Sequence, residues 1–253
     1  MNSTLYDDLQ NDRYDTWYQP IINGDNETIF ACEALSRRRS DGGIMKSAAA
    51  WIEMYEDIGI IASLDFAMFE KICADLKRWG QMRPDLDFPV FVNCSRVTMS
   101  RPDFHIKIEE IRSEYGVPKN RFVFEATESH EETSEKRFYA LLDKLKKDGY
   151  LVAIDDFGVE NSSIESLSLF DWDIIKLSAG LIWTLPKSEK MEVLLKSLLT
   201  CCHGFGMKCL AEGVETEEQL RILTEMGCNH FQGFFFCRPV PVDEFEIKYS
   251  SAE

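Results

Sequence analysis

Acidic and amide side chains end a series of short apolar segments in this sequence. They are Glu33, Asn93, Glu125, the pair Asp155 and Asp156, Glu212 and Gln232. If the segments are parallel strands of a barrel, their carboxyl ends lie on one rim and these side chains converge on a single pocket. Carboxylates gathered there repel one another, and a hard divalent cation would resolve the repulsion because it prefers oxygen ligands. The pattern therefore predicts a metal site on that rim.

The two adjacent aspartates, Asp155 and Asp156, are followed by Phe157 and Gly158 and close an apolar run. Consecutive residues of a strand point to opposite faces, so both carboxylates can meet only where the strand ends and turns. Gly158 permits such a turn. The alternative is that one aspartate caps a helix that begins after Asn161.

Glu33 lies inside the otherwise apolar segment IFACEALSR and needs a partner, because an unpaired buried carboxylate is costly. A salt bridge to Arg37 would satisfy it. Asn93 and Glu125 repeat the same placement, however, and one shared metal site explains all three positions more economically than three separate pairs.

A lysine and two further acids join the same set. Lys176 ends the segment DIIKLS, and Glu212 and Glu215 lie in AEGVET. Lysine among metal-bound carboxylates can neutralise charge or handle a proton, although a simple ion pair is the alternative. Gln232 adds a neutral donor and acceptor. This set indicates metal-assisted phosphoryl chemistry, in which two cations that share an aspartate activate a water.

The elements that would position these residues alternate along the chain. Apolar runs predict eight strands, at 17–23, 29–35, 90–94, 121–126, 150–155, 173–177, 207–211 and 230–236. Helical spacing occurs at 47–58, 62–79, 103–115, 133–148, 162–169, 188–204 and 216–226, the last with the capping sequence TEEQ. Alternating strands and helices predict an α/β fold, a TIM-like (β/α)8 barrel. The turn at 24–26 is too short for a parallel crossover, so one strand near the N-terminus should be antiparallel.

Composition narrows the class of protein. We expect one barrel domain at 17–247, after a polar lead-in at 1–16 and before a tail at 248–253. The net charge of -16 opposes binding to duplex nucleic acid. No apolar run is long enough for a membrane span, and the start lacks a secretion signal, so we expect a cytoplasmic location. The 8 cysteines form no C-x-x-C pair, which indicates reduced thiols rather than zinc.

The ordered motifs resemble the EAL-domain family of cyclic di-GMP phosphodiesterases. The matching segments are YQPI at 18–21, EALSR at 33–37, FVNCS at 91–95, FEATES at 124–129, DDFG at 155–158, Lys176, AEGVET at 211–216 and QGFFFCRP at 232–239. The resemblance implies a barrel with one antiparallel strand. It also implies hydrolysis of the bacterial second messenger cyclic di-GMP to linear pGpG with two divalent cations, Mg²⁺ or Mn²⁺.

The resemblance also implies a role for each site residue. Glu33, Asn93, Glu125 and Asp155 resemble ligands of a first metal, and Asp155, Asp156 and Glu212 ligands of a second. Lys176 resembles the lysine beside the nucleophilic water, and Glu215 an acid behind the metal ligands. Gln19, Arg37 and Gln232 fall where the family contacts the ligand. Glu128 matches a glutamate that holds the loop after DDFG, a loop that the family also uses in dimer contacts.

Two departures leave other functions open. Many relatives continue that loop with TGYSS, where this chain has VENSS at 159–163, and many carry KID, where this chain has Lys176, Leu177 and Ser178. The alternatives are a catalytically impaired cyclic di-GMP receptor and a regulatory interaction module. The resemblance further implies a homodimer, and sensor or cyclase (GGDEF-type) domains in a longer parent protein.

Overall fold

The computed structural model describes residues 2–40, 42–47, 49–84, 87–126, 132–159 and 165–250. The strands are β1 (Tyr14–Asn23), β2 (Ile29–Arg39), β3 (Met45–Ser47), β4 (Val90–Val92), β5 (Phe122–Ala126), β6 (Leu151–Phe157), β7 (Ile174–Leu177), β8 (Lys208–Ala211), β9 (His230–Phe231) and β10 (Val240–Pro241). The helices are α1 (Asn2–Gln10), α2 (Ala49–Asp57), α3 (Ile61–Met82), α4 (Arg96–Met99), α5 (Phe104–Tyr115), α6 (Glu132–Asp148), α7 (Ser166–Leu169), α8 (Ala179–Thr184), α9 (Glu189–Gly204), α10 (Glu217–Glu225) and α11 (Val242–Ser250). Short 3₁₀ turns lie at Lys119–Arg121 and Leu185–Lys187.

Eight of the strands close into a barrel. Their order is β1, β9, β8, β7, β6, β5, β4, β2 and back to β1. The seven strands from β2 to β9 in this ring are parallel to one another, whereas β1 is antiparallel to both of its neighbours. The predicted TIM-like barrel with one antiparallel strand near the N-terminus is therefore confirmed. Outside the ring, β3 pairs with the end of β2 and β10 with β1.

Two apolar layers hold the barrel together. One fills its interior and comprises Ile21, Ala31, Phe91, Val123, Ala153, Ile174 and Leu210. The other lies between the strands and the surrounding helices, where Trp79 of α3 stacks on Phe245 of α11 with ring centroids 5.4 Å apart. Because successive strand residues face opposite sides, one strand supplies both layers.

Several elements differ from the prediction. The strand predicted at 230–236 ends at Phe231, because Gln232 and Phe235 form backbone hydrogen bonds with Val214 instead. Helix α1 was not predicted, and neither were α4, α8 and α11. The expected domain boundary at residue 17 falls inside β1. None of the helices in the described part of the chain has both the length and the apolarity needed to cross a membrane.

Candidate functional site

The predicted site residues form a polar layer directly above the apolar interior of the barrel. Glu33, Asn93, Glu125, Asp155, Lys176 and Glu212 each lie two residues after a member of that interior layer. Gln19 lies two residues before Ile21, because β1 runs in the opposite direction. Residues two apart on a strand face the same side, so these side chains point to the barrel axis directly above the apolar layer and lie together on one rim.

Lys176 lies at the centre of this rim and is only 2% exposed. Its Nζ is 2.8 Å from Asp155 Oδ1 and 2.8 Å from Glu212 Oε1. The same atom forms an ion pair with Glu125 and lies 3.9 Å from Glu33 Oε1. One buried ammonium therefore faces four carboxylates.

The surroundings shift the proton affinity of these groups. Burial alone would lower the pKa of Lys176, but Asp155, Glu125 and Glu212 raise it well above its usual value. Burial raises the pKa of Glu125 well above its usual value, with Lys176 opposing, and burial raises the pKa of Glu212 to about 7. The carboxylates outnumber the ammonium, so the rim favours further positive charge.

A second contact group lies around Glu33. Asn93 Nδ2 donates to Glu33 Oε1 at 2.7 Å, and Gln232 Nε2 donates to Glu33 Oε2 at 2.6 Å. Gln232 Nε2 also lies 3.1 Å from Gln19 Oε1, and Gln19 Nε2 donates to the carbonyl oxygen of Cys237 at 3.0 Å. The amides therefore orient Glu33 and one another across the rim.

Asp156 joins the site because the backbone turns at this residue. Its φ is +51°, in the left-handed region that aspartate enters more readily than most residues, and the register with β7 shifts between Ile154 and Phe157. Oxygen atoms of Asp155, Asp156 and Glu212 consequently all lie within 4.8 Å of one another. Gly158, with φ +97°, continues the turn.

These residues fit a divalent cation. Glu125 Oε2 and Gln232 Oε1 are buried and accept no hydrogen bond from any residue that the structure describes. Asn93 donates its amide nitrogen to Glu33, which leaves its Oδ1 as an oxygen that could bind a cation. Oxygen donors of this kind are the ligands that Mg²⁺ and Mn²⁺ prefer.

A cavity of about 370 Å³ opens beside the acids. Gln19, Glu33, Glu212, Glu215 and Gln232 line its polar side. Leu35, Trp183 and Phe234 line its apolar side, and Trp183 Nε1 donates to the carbonyl oxygen of Gly213 at 3.0 Å. The cavity therefore offers an aromatic surface next to the charged rim.

Two predicted residues lie away from the acid cluster. Arg37 shares a strand face with Glu33 and Leu35 but lies farther out, where its Nη1 donates to the Ser36 carbonyl oxygen at 3.1 Å. Its guanidinium lies 5.5 Å from the centre of the Trp17 ring. No ion pair among the described residues joins Arg37 to Glu33, whose cationic neighbour is Lys176. Glu215 is exposed at the cavity wall.

Other predicted features lie partly outside the described residues. Glu128 does, as does most of the segment at 159–163, of which only Val159 is described. Ser178 is 2% exposed, and its Oγ has no hydrogen-bond partner among the described residues. Sequence reasoning missed Leu35 and Trp183. The period of two after Glu33 points to Leu35, whereas Trp183 belongs to α8, for which no helix was predicted.

The fold and the site define a (β/α)8 barrel with an acidic rim around a buried lysine, and the comparisons with known proteins agree. The sequence model of the EAL domain matches residues 2–239. The chain is 28% identical over 242 residues to the signaling protein YkoW of Bacillus subtilis, covering 96% of this chain and 30% of that protein. It is 28% identical over 249 residues to the cyclic di-GMP phosphodiesterase NbdA of Pseudomonas aeruginosa, covering 97% of this chain and 31% of that protein.

A solved structure of the EAL enzyme Bd1971, bound to cAMP and cyclic di-GMP, superposes with a TM-score of 0.89 at 23% identity, over 98% of this chain and 67% of that one. The chain belongs to the EAL domain family. It spans roughly a third of the length of the curated relatives named above.

Proposed function

We propose that this protein hydrolyses cyclic di-GMP to linear pGpG by two-metal activation of water. The rim around Lys176 carries the proposal, because four acids there face one ammonium and two buried oxygens lack partners among the described residues. Membership of the EAL family and similarity to a protein named as a cyclic di-GMP phosphodiesterase support the choice of substrate.

The residues that would hold two cations, Mg²⁺ or Mn²⁺, are the oxygen donors of the rim. Glu33, Asn93, Glu125 and Asp155 would hold the first, and Asp155, Asp156 and Glu212 the second. Two such cations would lower the pKa of a water and clamp the attacking and leaving oxygens of the phosphodiester. They would also reverse the sign of the local field, so that an anionic ligand can enter an acidic protein.

The remaining residues would bind and orient the substrate. Lys176 is catalytic in this proposal, because its buried ammonium lies among the acids that would hold the cations, where it can neutralise charge or handle a proton of the attacking water. Glu215, at the cavity wall, orients water behind the metal ligands. Arg37 suits a phosphate through two parallel hydrogen bonds, and the Gln19 to Gln232 pair offers amide groups to the ligand.

The aromatic side of the cavity suits the bases of the substrate. Trp183 is 52% exposed and Phe234 47% exposed, although both line the cavity beside Glu33 and Glu212. Exposed aromatic rings beside a phosphate site are suited to stacking on purines. A nucleotide with two guanines therefore matches the cavity better than a small phosphate ester does.

Turnover with a metal titration tests the proposal. We expect purified protein to form pGpG from cyclic di-GMP only with added Mg²⁺ or Mn²⁺, measured by chromatography of the products. Asp155→Asn and Glu33→Ala should abolish turnover while the circular dichroism spectrum stays unchanged. The matched control Asp57→Asn changes an exposed acid at the end of α2 and should retain full turnover. Undiminished turnover of Asp155→Asn would contradict the two-metal assignment.

One observation favours a second candidate, a receptor that binds cyclic di-GMP without cleaving it. The position where many relatives have an acid is the buried Ser178, which supplies no charge near Lys176. Tight binding by calorimetry without pGpG formation in excess metal would identify a receptor. In that case Ser178→Asp should restore turnover, and no binding even at micromolar ligand would instead indicate an interaction module.

The wider assembly stays a prediction. A homodimer, a cytoplasmic location, and sensor or GGDEF-type cyclase domains in a longer parent protein are implied by the family resemblance. Sedimentation of the purified protein with and without cyclic di-GMP would test the dimer.

A further inference from the structure

Asn93, like Glu212, lies one residue beyond the end of its strand and is held differently from the rim residues inside strands. Glu125, Asp155 and Lys176 lie inside strands, but the paired register of β4 ends at Val92, one residue before Asn93. Asn93 is also exposed. The direction of its side chain therefore depends on the residues that follow it as well as on the barrel.

Those following residues converge on one carboxylate of helix α3. Asp65 Oδ2 accepts hydrogen bonds from the Ser95 backbone nitrogen at 3.1 Å and from Thr98 Oγ1 at 2.5 Å. Cys94 Sγ lies 3.8 Å from the same oxygen. Thr98 is completely buried, so this contact is shielded from water. One oxygen of Asp65 thus fixes the chain from 94 to 98.

A second acid strengthens the same segment. Ser95 Oγ donates to Glu56 Oε1 of helix α2 at 2.5 Å and accepts from the Val97 backbone nitrogen at 3.1 Å. The start of α4 is therefore attached to two helices of the outer ring. Movement of this segment would carry Asn93 away from Glu33, to which its amide nitrogen donates.

Among the described residues, Asp65 has hydrogen-bond donors but no basic side chain as an ion-pair partner. Burial raises its pKa to about 6, and the hydrogen bonds from Thr98 and Ser95 oppose that shift. An acid placed here without a cation is costly for the fold. Its contacts serve the loop after β4.

We propose that Asp65 is a positioning residue that holds Asn93 in the orientation in which its amide oxygen can bind a cation on the rim. The inference rests on the proposed metal-dependent function and adds to it a residue that does not itself touch the metal. Groups that orient metal ligands commonly change metal affinity by about 10–100-fold when they are removed.

The test is Mn²⁺ binding to the protein without nucleotide, measured from the electron paramagnetic resonance signal of free Mn²⁺. Asp65→Ala should weaken binding by about tenfold or more. Asp65→Asn keeps an acceptor oxygen and should stay within about threefold of the unsubstituted protein, because a neutral amide can still accept from the same donors.

Asp75→Ala is the matched control. Asp75 lies on the same helix and is 7% exposed, and it accepts from Tyr18 OH at 2.7 Å and Thr16 Oγ1 at 3.1 Å. Its hydrogen-bond donors belong to β1 rather than to the loop after β4, and it also forms an ion pair with Arg78 of its own helix at 3.0 Å. This variant should lose thermal stability as Asp65→Ala does, but should keep its Mn²⁺ affinity.

The possible outcomes are distinct. Equal Mn²⁺ affinity of the unsubstituted protein and folded Asp65→Ala would overturn the inference and leave the proposed function standing. No Mn²⁺ binding by the unsubstituted protein would overturn both. If Asp65→Ala does not fold, Thr98→Val removes the shortest of the three contacts with little change of shape. Unchanged Mn²⁺ affinity in that variant would likewise overturn the inference.

Discussion

At the scale of single residues, the charge of Lys176 balances the rim. Asp155, Glu125 and Glu212 all lie around its ammonium, and the side chain is 2% exposed. Removing one partner of a buried ion cluster leaves charges without compensation, and such changes commonly cost about 3–5 kcal/mol. The residue is therefore a structural as well as a chemical element of the site.

We predict that Lys176→Met lowers the free energy of unfolding by about 3–5 kcal/mol when no divalent cation is present. Added Mg²⁺ should restore more stability to this variant than it adds to the unsubstituted protein, because the uncompensated carboxylates then bind the cation. Urea denaturation with and without Mg²⁺ measures both effects. The control Lys147→Met breaks only an exposed pair with Asp143 and should cost less than about 1 kcal/mol. Equal losses in the two variants would contradict the prediction.

Because Trp183 lines the cavity, we predict that its removal weakens binding of cyclic di-GMP. Trp183→Ala should raise the KM for cyclic di-GMP by about tenfold with a smaller effect on kcat, because stacking on a base contributes about 1–3 kcal/mol. Trp183→Phe should recover most of the affinity. Steady-state kinetics would show the split, and Phe205→Ala, which removes another exposed aromatic side chain outside the cavity, serves as the control. A KM that does not change in Trp183→Ala would exclude the stacking role.

At the scale of elements, two backbone segments meet above the barrel and orient Gln232. Val214 N donates to the Gln232 carbonyl oxygen at 3.0 Å, and Phe235 N donates to the Val214 carbonyl oxygen at 3.0 Å. A Cβ at Gly233 would overlap the backbone of Val214. Only glycine allows this approach.

We therefore predict that Gly233→Ala destabilises the protein by about 1–3 kcal/mol and lowers affinity for cyclic di-GMP, because it displaces Gln232. Gly80→Ala is the control. A Cβ at Gly80 of α3 meets no atom within 4 Å, so alanine there should raise stability by about 0.5–1 kcal/mol. Thermal denaturation and calorimetry give the two readouts. A Gly233→Ala protein as stable as its parent would refute the argument.

Glu109 of helix α5 forms contacts whose contribution to the stability of the fold should depend on pH. Burial opposes ionisation of Glu109, but hydrogen bonds from Tyr150 and ion pairs with Arg112 and Lys119 lower its pKa from 4.5 to about 2. A lowered pKa in the folded state means that its stabilising contribution is present above pH 4.5 and is lost as the pH falls to about 2.

Glu109→Gln should thus be less stable than the unsubstituted protein at neutral pH, and the difference should shrink between pH 4.5 and pH 2. Urea denaturation across that range measures it. The neighbouring exposed acid Glu110 pairs only with Lys107 among the described residues, so Glu110→Gln should change stability little at pH 7. A difference for Glu109→Gln that stays constant down to pH 2 would contradict the assignment.

The sequence predicted most elements whose residues form regular patterns. The eight barrel strands followed from apolar runs, and the start of α10 from the capping box between Thr216 and Gln219, which forms as predicted. Helix α8, with only six residues, is too short to show a helical period. The turn at Asp156 was placed at Gly158 alone, because a left-handed aspartate has no distinct sequence signal.

For the site, the residue types and their order along the sequence predicted the acidic rim, but not the contacts between the rim residues. Asn93 and Gln232 both bind Glu33, and Lys176 lies among four carboxylates that belong to, or directly follow, four different strands. These contacts depend on how strands far apart in sequence are staggered in the closed barrel. No local pattern in a single sequence reveals that stagger. The contacts of Asp65 with the loop after β4 were missed for the same reason.

At the scale of the whole molecule, the N-terminal segment belongs to the core. Leu5 of α1 is completely buried and packs with Tyr14, Tyr55 and Met68 in a cluster outside the barrel. Asp8 forms an ion pair with Arg38 of β2 at 2.7 Å. Residues 1–16 were predicted to be a polar lead-in because most of them are polar, but helix α1 has one apolar face that packs on the fold.

We predict that Leu5→Ala lowers the free energy of unfolding by about 2–5 kcal/mol, the range for leucines removed from a packed core. Leu194→Ala, on the exposed face of α9, is the control and should change stability by less than about 0.5 kcal/mol. Chemical denaturation at equilibrium compares the two. Similar values for both variants would show that α1 contributes nothing to the core.

The reversed direction of β1 has a mechanical consequence. Tyr14 pairs with Arg38 and Gln19 with Glu33, so the first residues of β1 extend past the rim, on the face that carries the acids. Helix α1 precedes them there and is attached to the end of β2 through Asp8. A force applied to the chain at α1 would therefore load the β1 and β2 pair from the end that carries the acids. It would reach Gln19 and Glu33 before it reached the apolar interior beneath them.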